Sequence, residues 1–305
     1  MLPEPITSAQ NPKIKRLLAL QKDSSLRREA GLFVVEGQRE LEHCLSAGYE
    51  CDTIFICPAL FDAGRGTAPG NAASRPLPLR SACGPLPLMK PRVATVSRGR
   101  ASSGESKYQA DRVFEVSEEV YAKVAYRGGT EGIIAEIKAK ARTLDELTLP
   151  ESPLIMVLES VEKPGNLGAV LRSADAAGAD AVLICDPLTD LYNPNLIRAS
   201  IGAVFTVPTV ACSSGEAITW LKAKGIQILT AQLQDSSLYY DRDLTRPTAL
   251  VMGTESTGLS DKWRQAADAH IRIPMLGRLD SLNVSVSAAI LLFEAVRQRQ
   301  EPQQP

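Results

Sequence analysis

Two regimes of hydrophobic patterning divide the chain. From Leu154 onward, short apolar runs alternate with stretches whose apolar residues recur at helical spacing. Strands are expected at Leu154–Leu158, Ala181–Ile184, Thr206–Val210, Ile226–Thr230, Ala249–Met252 and His270–Ile273. Helices are expected at Leu167–Ala177, Pro194–Gly202, Gly215–Lys224, Ser260–Ala266 and Val284–Gln298. Apolar strands alternating with amphipathic helices predict a parallel α/β sheet covered on both faces. Ligands of such sheets bind in the loops after the carboxyl ends of strands. The last helix carries Ala288-Ala289-Ile290-Leu291-Leu292-Phe293, apolar almost all round, which predicts burial in the core or at a dimer interface.

The first half reads differently. Lys13, Ile14, Arg16, Leu17, Leu18 and Leu20 give a helix with a basic face at Lys13, Lys15 and Arg16. Leu32-Phe33-Val34-Val35-Glu36 is a strand between two glycines, Gly31 and Gly37, Arg39 to Ala47 a helix, and Thr53 to Cys57 a second strand. Pattern returns with a strand at Val113–Val116, a helix from Glu118 to Ala125 and a strand at Gly132–Ile137. A polar connector from Lys138 to Pro153 closes this part. The expected organisation is a small α+β domain over residues 1–150 and an α/β domain over 151–305. Residues 62–107 interrupt the first with a Pro/Gly/Ser-rich basic insertion lacking any period. Either a basic RNA-touching loop or a tolerated surface insertion accounts for it.

Composition changes the picture little. A chain of 305 residues with 44% hydrophobic and 23% charged residues can bury a sizeable core. A net charge of −1 gives no global basic field, so a nucleic-acid partner would be met by local patches. Cys44, Cys51, Cys57, Cys83, Cys185 and Cys212 form no CxxC pair and have no His at ligand spacing, which argues against a metal site. No apolar run approaches the roughly 20 residues a bilayer span needs, so a cytoplasmic protein is expected. The two histidines, His43 and His270, read as packing or surface residues.

Three loops then carry the candidate chemistry. After the first strand of the second domain, Asn166 is placed to cap a helix, and Arg172 follows within two turns. After Met252 comes Gly253-Thr254-Glu255-Ser256-Thr257-Gly258, two glycines around an acid at a strand end. After Ile273 come Pro274-Met275, a corner suited to a flat apolar group, and then Ser281-Leu282-Asn283 at the start of the last helix. Each alone reads equally well as an ordinary cap or turn.

In order, and each after a strand, the three segments resemble the motifs of the SpoU (TrmH) family of SPOUT methyltransferases. The resemblance is strong over residues 154–298. Residues 6–61 and 111–137 resemble more loosely the ribosomal-protein-like substrate-binding domain of many relatives. The insertion has no counterpart in that pattern, and Thr254 stands where relatives often carry Asn. The resemblance implies a SPOUT parallel sheet with a C-terminal trefoil knot, a homodimer, and S-adenosylmethionine as cofactor. The cofactor would be held largely by backbone at Gly253, Ile273, Met275 and Leu282. It implies methyl transfer to a ribose 2′-hydroxyl of RNA, with ribosomal placed ahead of transfer RNA, and catalytic roles for Asn166, Arg172, Glu255, Ser281 and Asn283. Arg172 would act as base or as the group orienting the hydroxyl. A non-catalytic RNA-binding protein on the same fold would be expected to lack Arg172, Glu255 or Asn283, and an oxidoreductase would need a GxGxxG turn that is absent.

Overall fold

A computed structural model describes residues 4–63, 108–126, 131–254, 257–278 and 281–300. The expected insertion lies outside the described residues from position 64 onward. The first part contains β1 (Glu4–Ile6), α1 (Pro12–Lys22), α2 (Ser24–Ala30), β2 (Leu32–Glu36), α3 (Gln38–Ser46), β3 (Cys51–Ile56), α4 (Pro58–Ala63), β4 (Arg112–Val116), α5 (Glu118–Val124) and β5 (Ile133–Lys138). Its strands form one sheet in the order β1-β4-β3-β5-β2, with β5 antiparallel to both neighbours. Asn11 caps α1 by accepting from the Lys13 amide, and Pro12 supplies the first helical position. The unforeseen α2 reads Ser-Ser-Leu-Arg-Arg-Glu-Ala, with no apolar period. It starts on the Asp23 cap and stops at Gly31, where φ is 62°.

The second part contains β6 (Leu154–Glu159), α6 (Pro164–Ala176), β7 (Ala181–Cys185), α7 (Pro194–Ala199), α8 (Ala203–Thr206), β8 (Thr209–Cys212), α9 (Ser214–Ala223), β9 (Gln227–Ala231), β10 (Ser237–Leu238), β11 (Thr248–Met252), α10 (Asp261–Ala266), β12 (Ala269–Arg272) and α11 (Val284–Gln300). All strand pairs are parallel, in the order β10-β12-β9-β11-β6-β7-β8. Central β6 is buried on both faces. Met156 and Leu158 join one core with α6 and α11, while Ile155 and Val157 join another with α9 and α10.

Two expected boundaries are corrected. The helix read as Pro194–Gly202 ends at Ala199, because Ile201 and Gly202 take positive φ of 54° and 80° and turn the chain. It restarts as α8, so Thr206 is helical. The strand begins only at Thr209, after Pro208, which cannot donate to a ladder.

The two parts share a wall. Phe33 and Val35 of β2 belong to the same apolar core as Leu196, Ile197 and Phe205. Phe33 stacks on Tyr192 at 4.2 Å, and Tyr49 meets Phe205 edge-on at 5.3 Å; such pairs add about 0.5–1.5 kcal/mol beyond burial. Buried Arg27 pairs with Asp190 at 2.6 Å. His43 lies 3.2 Å from the Ile201 carbonyl through Nδ1 and packs on Gly202, the packing role expected of it.

Candidate active site

Three loops leave the carboxyl ends of β6, β11 and β12. In the sheet order β6 neighbours β11, while β12 lies two strands from β11, about 10 Å away. To reach α11, which packs on α6, the chain after β12 must cross back over β9 and β11.

Asn166 does not cap its helix, which corrects the expectation. α6 begins two residues earlier at Pro164, with Lys163 at the cap position and no side-chain cap bond. Proline at the first helical position already has the fixed φ the helix needs and lacks an amide that would go unsatisfied. Relieved of capping, Asn166 accepts through Oδ1 from Nδ2 of Asn283 at 3.1 Å, across 117 residues. Asn283 is itself the cap of α11. Its Oδ1 accepts from the Ser285 amide at 3.0 Å and the Ser285 hydroxyl at 2.6 Å, and its carbonyl accepts from the Ser287 amide at 3.0 Å. Ser281 is exposed and stands three residues before α11, so it does not cap it.

Arg172 is exposed, and among the described residues it has no hydrogen-bond or ion-pair partner. Six residues separate it from Asn166, about 9 Å along the helix axis. Helical side chains lean toward the N-terminus, so Arg172 inclines back toward the loop.

The second loop closes on itself. A Cβ on Gly253 would lie 2.2 Å from the Gly258 carbonyl oxygen and 2.6 Å from the Leu259 nitrogen, so only glycine fits. Thr254 holds the turn: its carbonyl accepts from the Gly258 amide at 3.0 Å, and its hydroxyl accepts from the Thr257 amide at 3.0 Å. Glu255 lies outside the described residues.

Glu159 pins the exit of this loop, a role the sequence reading missed. The carboxylate is buried at the end of β6. It accepts from the Ser260 amide at 2.8 Å and the Ser260 hydroxyl at 2.6 Å. Beside it, the Ser214 hydroxyl donates to Asp186 at 2.5 Å and accepts from Trp263 Nε1 at 2.9 Å. An acid at the inward-facing end of an apolar strand was the available signal.

In the third loop Ile273 and Met275 are half-buried, Leu282 is 38% exposed and Leu276 is 97% exposed. Apolar side chains left open beside a tightly folded glycine loop fit an adenosine, whose flat base needs an apolar shelf and whose polar edges need backbone groups. Among the described residues no cluster of side chains could hold a metal ion, and no helix is long and apolar enough to cross a membrane. A separate cleft of about 440 Å³, lined by Lys222, Gln227, Arg242, Arg246 and Asp268, opens at the amino ends of β9 and β12 and contains none of the candidate residues.

The basic face of α1 is largely engaged within the protein. Lys13 pairs with Glu4 at 2.8 Å and lies 3.9 Å over the Phe114 ring, while Arg16 pairs with Glu136 at 2.6 Å and Asp52 at 3.4 Å. Lys15 is exposed.

A parallel sheet with three loops at its carboxyl edge, walled by a smaller second sheet, defines an α/β protein with a candidate ligand site at that edge. Residues 153–293 match the SpoU rRNA Methylase family, and residues 11–75 match the MRM3-like substrate binding domain. The chain belongs to the SpoU rRNA methylase family. It is 35% identical over 227 residues to the 23S rRNA (guanosine-2′-O-)-methyltransferase RlmB of Pseudomonas syringae pv. tomato, covering 72% of this chain and 86% of that protein. It is 37% identical over 174 residues to the 23S rRNA (uridine(2479)-2′-O)-methyltransferase of Streptomyces viridochromogenes. That alignment covers 55% of this chain and spans 60% of the relative's own length. The crystal structure of an AdoMet-bound rRNA methyltransferase from Sinorhizobium meliloti superposes with a TM-score of 0.76 at 28% identity, covering 98% of this chain and 99% of that one.

Proposed function

We propose that the protein transfers the methyl group of S-adenosylmethionine to a ribose 2′-hydroxyl of 23S ribosomal RNA. Family membership and the relatives' reactions support the reaction class. The observation that carries the assignment of residues is the Asn166–Asn283 bond, which ties the segment after β6 to the start of α11, with Arg172 exposed further along the helix that carries Asn166.

Bound S-adenosylmethionine supplies an electrophilic methyl on a sulfonium. The chain's tasks are to hold it, to align a ribose oxygen behind the methyl, and to assist loss of the hydroxyl proton. Backbone at Gly253, Ile273, Met275 and Leu282 would hold the cofactor, with Leu276 and Met275 excluding water. A guanidinium is a costly base, which argues against Arg172 as the proton acceptor. Arg172 would bind the phosphate beside the target ribose and orient the hydroxyl. Asn166 and Glu255 would fix Arg172 and the ribose. Ser281 and Asn283 would shape the pocket around them.

The finer architecture follows the same reading. The return of the chain from β12 across β9 and β11 supports a C-terminal trefoil knot. Val286 and Phe293, seven residues apart on α11 and each 48% exposed, support a homodimer through that face. The part before residue 150 would grip RNA, with Lys15 and Lys22 exposed charges of its first helix. Action on ribosomal RNA would put the protein in the cytoplasm of a bacterial cell, and the bacterial source of the matched relatives supports that reading.

The test is methyl transfer from labelled S-adenosylmethionine to unmethylated RNA, with ribosomal and transfer fractions kept apart. Label recovered as a 2′-O-methyl nucleotide of 23S RNA is expected. Arg172→Ala should bind cofactor nearly normally and lose most turnover. Equal turnover in that variant would overturn the role given to Arg172.

A further inference from the structure

Cys185 ends β7 and Cys212 ends β8, and the two are direct partners in the parallel register. Neighbouring strands lie about 4.8 Å apart, inside the Cα separation of roughly 4.4–6.8 Å that disulfides bridge. Register partners present their side chains on the same face of a sheet. Here the two Sγ atoms are 3.9 Å apart. Among the described residues no other pair of cysteine sulfurs is in contact. Cys185 is fully buried, while Cys212 is partly exposed and open to a small oxidant.

We propose that Cys185 and Cys212 form a redox-active pair that closes to an intrachain disulfide under hydrogen peroxide and reopens with a thiol reductant.

The chemistry balances as a two-electron exchange. The Cys212 thiolate attacks one peroxide oxygen, giving the sulfenic acid and hydroxide. Cys185 then attacks the Cys212 sulfur and its hydroxyl leaves. The hydroxide from the peroxide takes the proton that Cys212 released on ionising, and the hydroxyl leaving the sulfenic acid takes the Cys185 proton, so two thiols and one peroxide give one disulfide and two molecules of water. The hydrogen bond shared with Cys185 lowers the Cys212 thiol below its ordinary value, against burial and then the carboxylates of Glu216 and Asp186. Cys212, the more accessible sulfur, is oxidised first, and buried Cys185 then attacks it to resolve the sulfenic acid.

The pair also lies in line with the catalytic edge. Glu159, Cys185 and Cys212 occupy successive register positions on β6, β7 and β8. The Asp186 amide donates to the Cys212 carbonyl at 2.9 Å, and Ser214, two residues after Cys212, donates to Asp186. Closing the disulfide acts on the same row of strand ends that anchors Ser260.

The test uses the full reduced chain, exposed to equimolar peroxide, then alkylated and analysed by intact mass and peptide mapping. The expected product has lost two hydrogens, carries a Cys185–Cys212 linked peptide, and returns to the starting mass with dithiothreitol. In Cys185→Ser, dimedone should trap a sulfenic acid at Cys212. In Cys212→Ser, neither product should form. Serine is close in size, and a far-ultraviolet dichroism spectrum like that of the parent confirms folding. A bridge mapping to Cys83 or any other cysteine overturns the proposal. So does recovery of both thiols fully alkylated after peroxide treatment.

Discussion

Replacing Asn283 separates what holds the fold from what positions the chemistry, because its amide does both jobs with different atoms. Oδ1 caps α11 through Ser285, while Nδ2 donates to Asn166. Asn283→Ala removes both. Loss of a cap costs about 1 kcal/mol, and an exposed neutral hydrogen bond adds about 0.5 kcal/mol. The sum of about 1.5 kcal/mol should lower the melting temperature by roughly 2–3 °C for a chain of this size. Asn283→Asp keeps the acceptor for Ser285 and adds a negative charge at a helix N-terminus, worth about 0.3–1 kcal/mol. It loses the donor and sets a carboxylate oxygen against Asn166 Oδ1. Its melting temperature should stay at or above the parent's while turnover falls about 5- to 10-fold, the equivalent of about 1–1.4 kcal/mol of lost orientation. Thermal unfolding by circular dichroism and methyl transfer at saturating cofactor measure the two effects separately. An aspartate variant with parental turnover, or one as unstable as the alanine variant, would refute the division of labour.

Arg299 donates to the carbonyls of Ser152, Pro153, Leu244 and Arg246, tying the end of α11 to the connector and to the approach to β11. Arg299→Ala should cost about 2–4 kcal/mol in urea unfolding, and Arg299→Lys should not restore it, since an ammonium lacks the guanidinium fork; a loss below about 0.5 kcal/mol would contradict the clamp. Gly253→Ala places a methyl 2.2 Å from the Gly258 oxygen, an overpacking of about 1–3 kcal/mol that must displace the loop. Calorimetry should show weakened S-adenosylmethionine binding, and unchanged affinity would remove Gly253 from the cofactor site. The Asp243 carboxyl is held below its ordinary 3.8, chiefly by the Thr245 hydroxyl and then by the Thr245 amide. A lowered carboxyl stabilises the fold above its unfolded value and loses that contribution as pH falls through the folded one. Asp243→Asn should therefore lose less stability than the parent on acidification below 3.8, as read by urea midpoints, and parallel curves would count against it.

What could be read from the sequence was what one short segment decides alone. Strands such as Ala181–Cys185 and Thr248–Met252 are apolar throughout because parallel strands are covered on both faces, so their positions showed directly. The loops after β6 and β11 follow such strands, while the third follows β12, Ala-His-Ile-Arg, in which Ile271 alone is buried. Less legible was what a residue does when its partner is far away in the chain. Asn166 reads as a cap from its neighbours, yet Pro164 takes the helix start and the amide is used on Asn283. Glu159 looks like a strand-end surface acid until Ser260 folds over it, 101 residues later. The same holds for Cys185 and Cys212, which share no spacing motif and meet only through strand register. The two-residue β10 is too short to show any period.

The last helix gathers these long-range ties. Its buried stripe of Val284, Ala288, Leu291, Leu292 and Ala295 packs toward α6, while Val286 and Phe293 on its other side stay about half exposed. Asn283 fixes its beginning to the first loop, and near its end Gln298 and Arg299 hold the 242–246 segment. A helix held at both ends transmits displacement along its length, because helices bend far less readily than loops. In the proposed homodimer the partner would press on the face carrying Val286 and Phe293, away from the buried stripe. Assembly would then set the position of Asn283 relative to Asn166, a placement that must be kept to within about 0.5 Å for efficient catalysis. On that reasoning Phe293→Asp, which burdens the dimer face without touching the three loops, should lower turnover in parallel with dimer content.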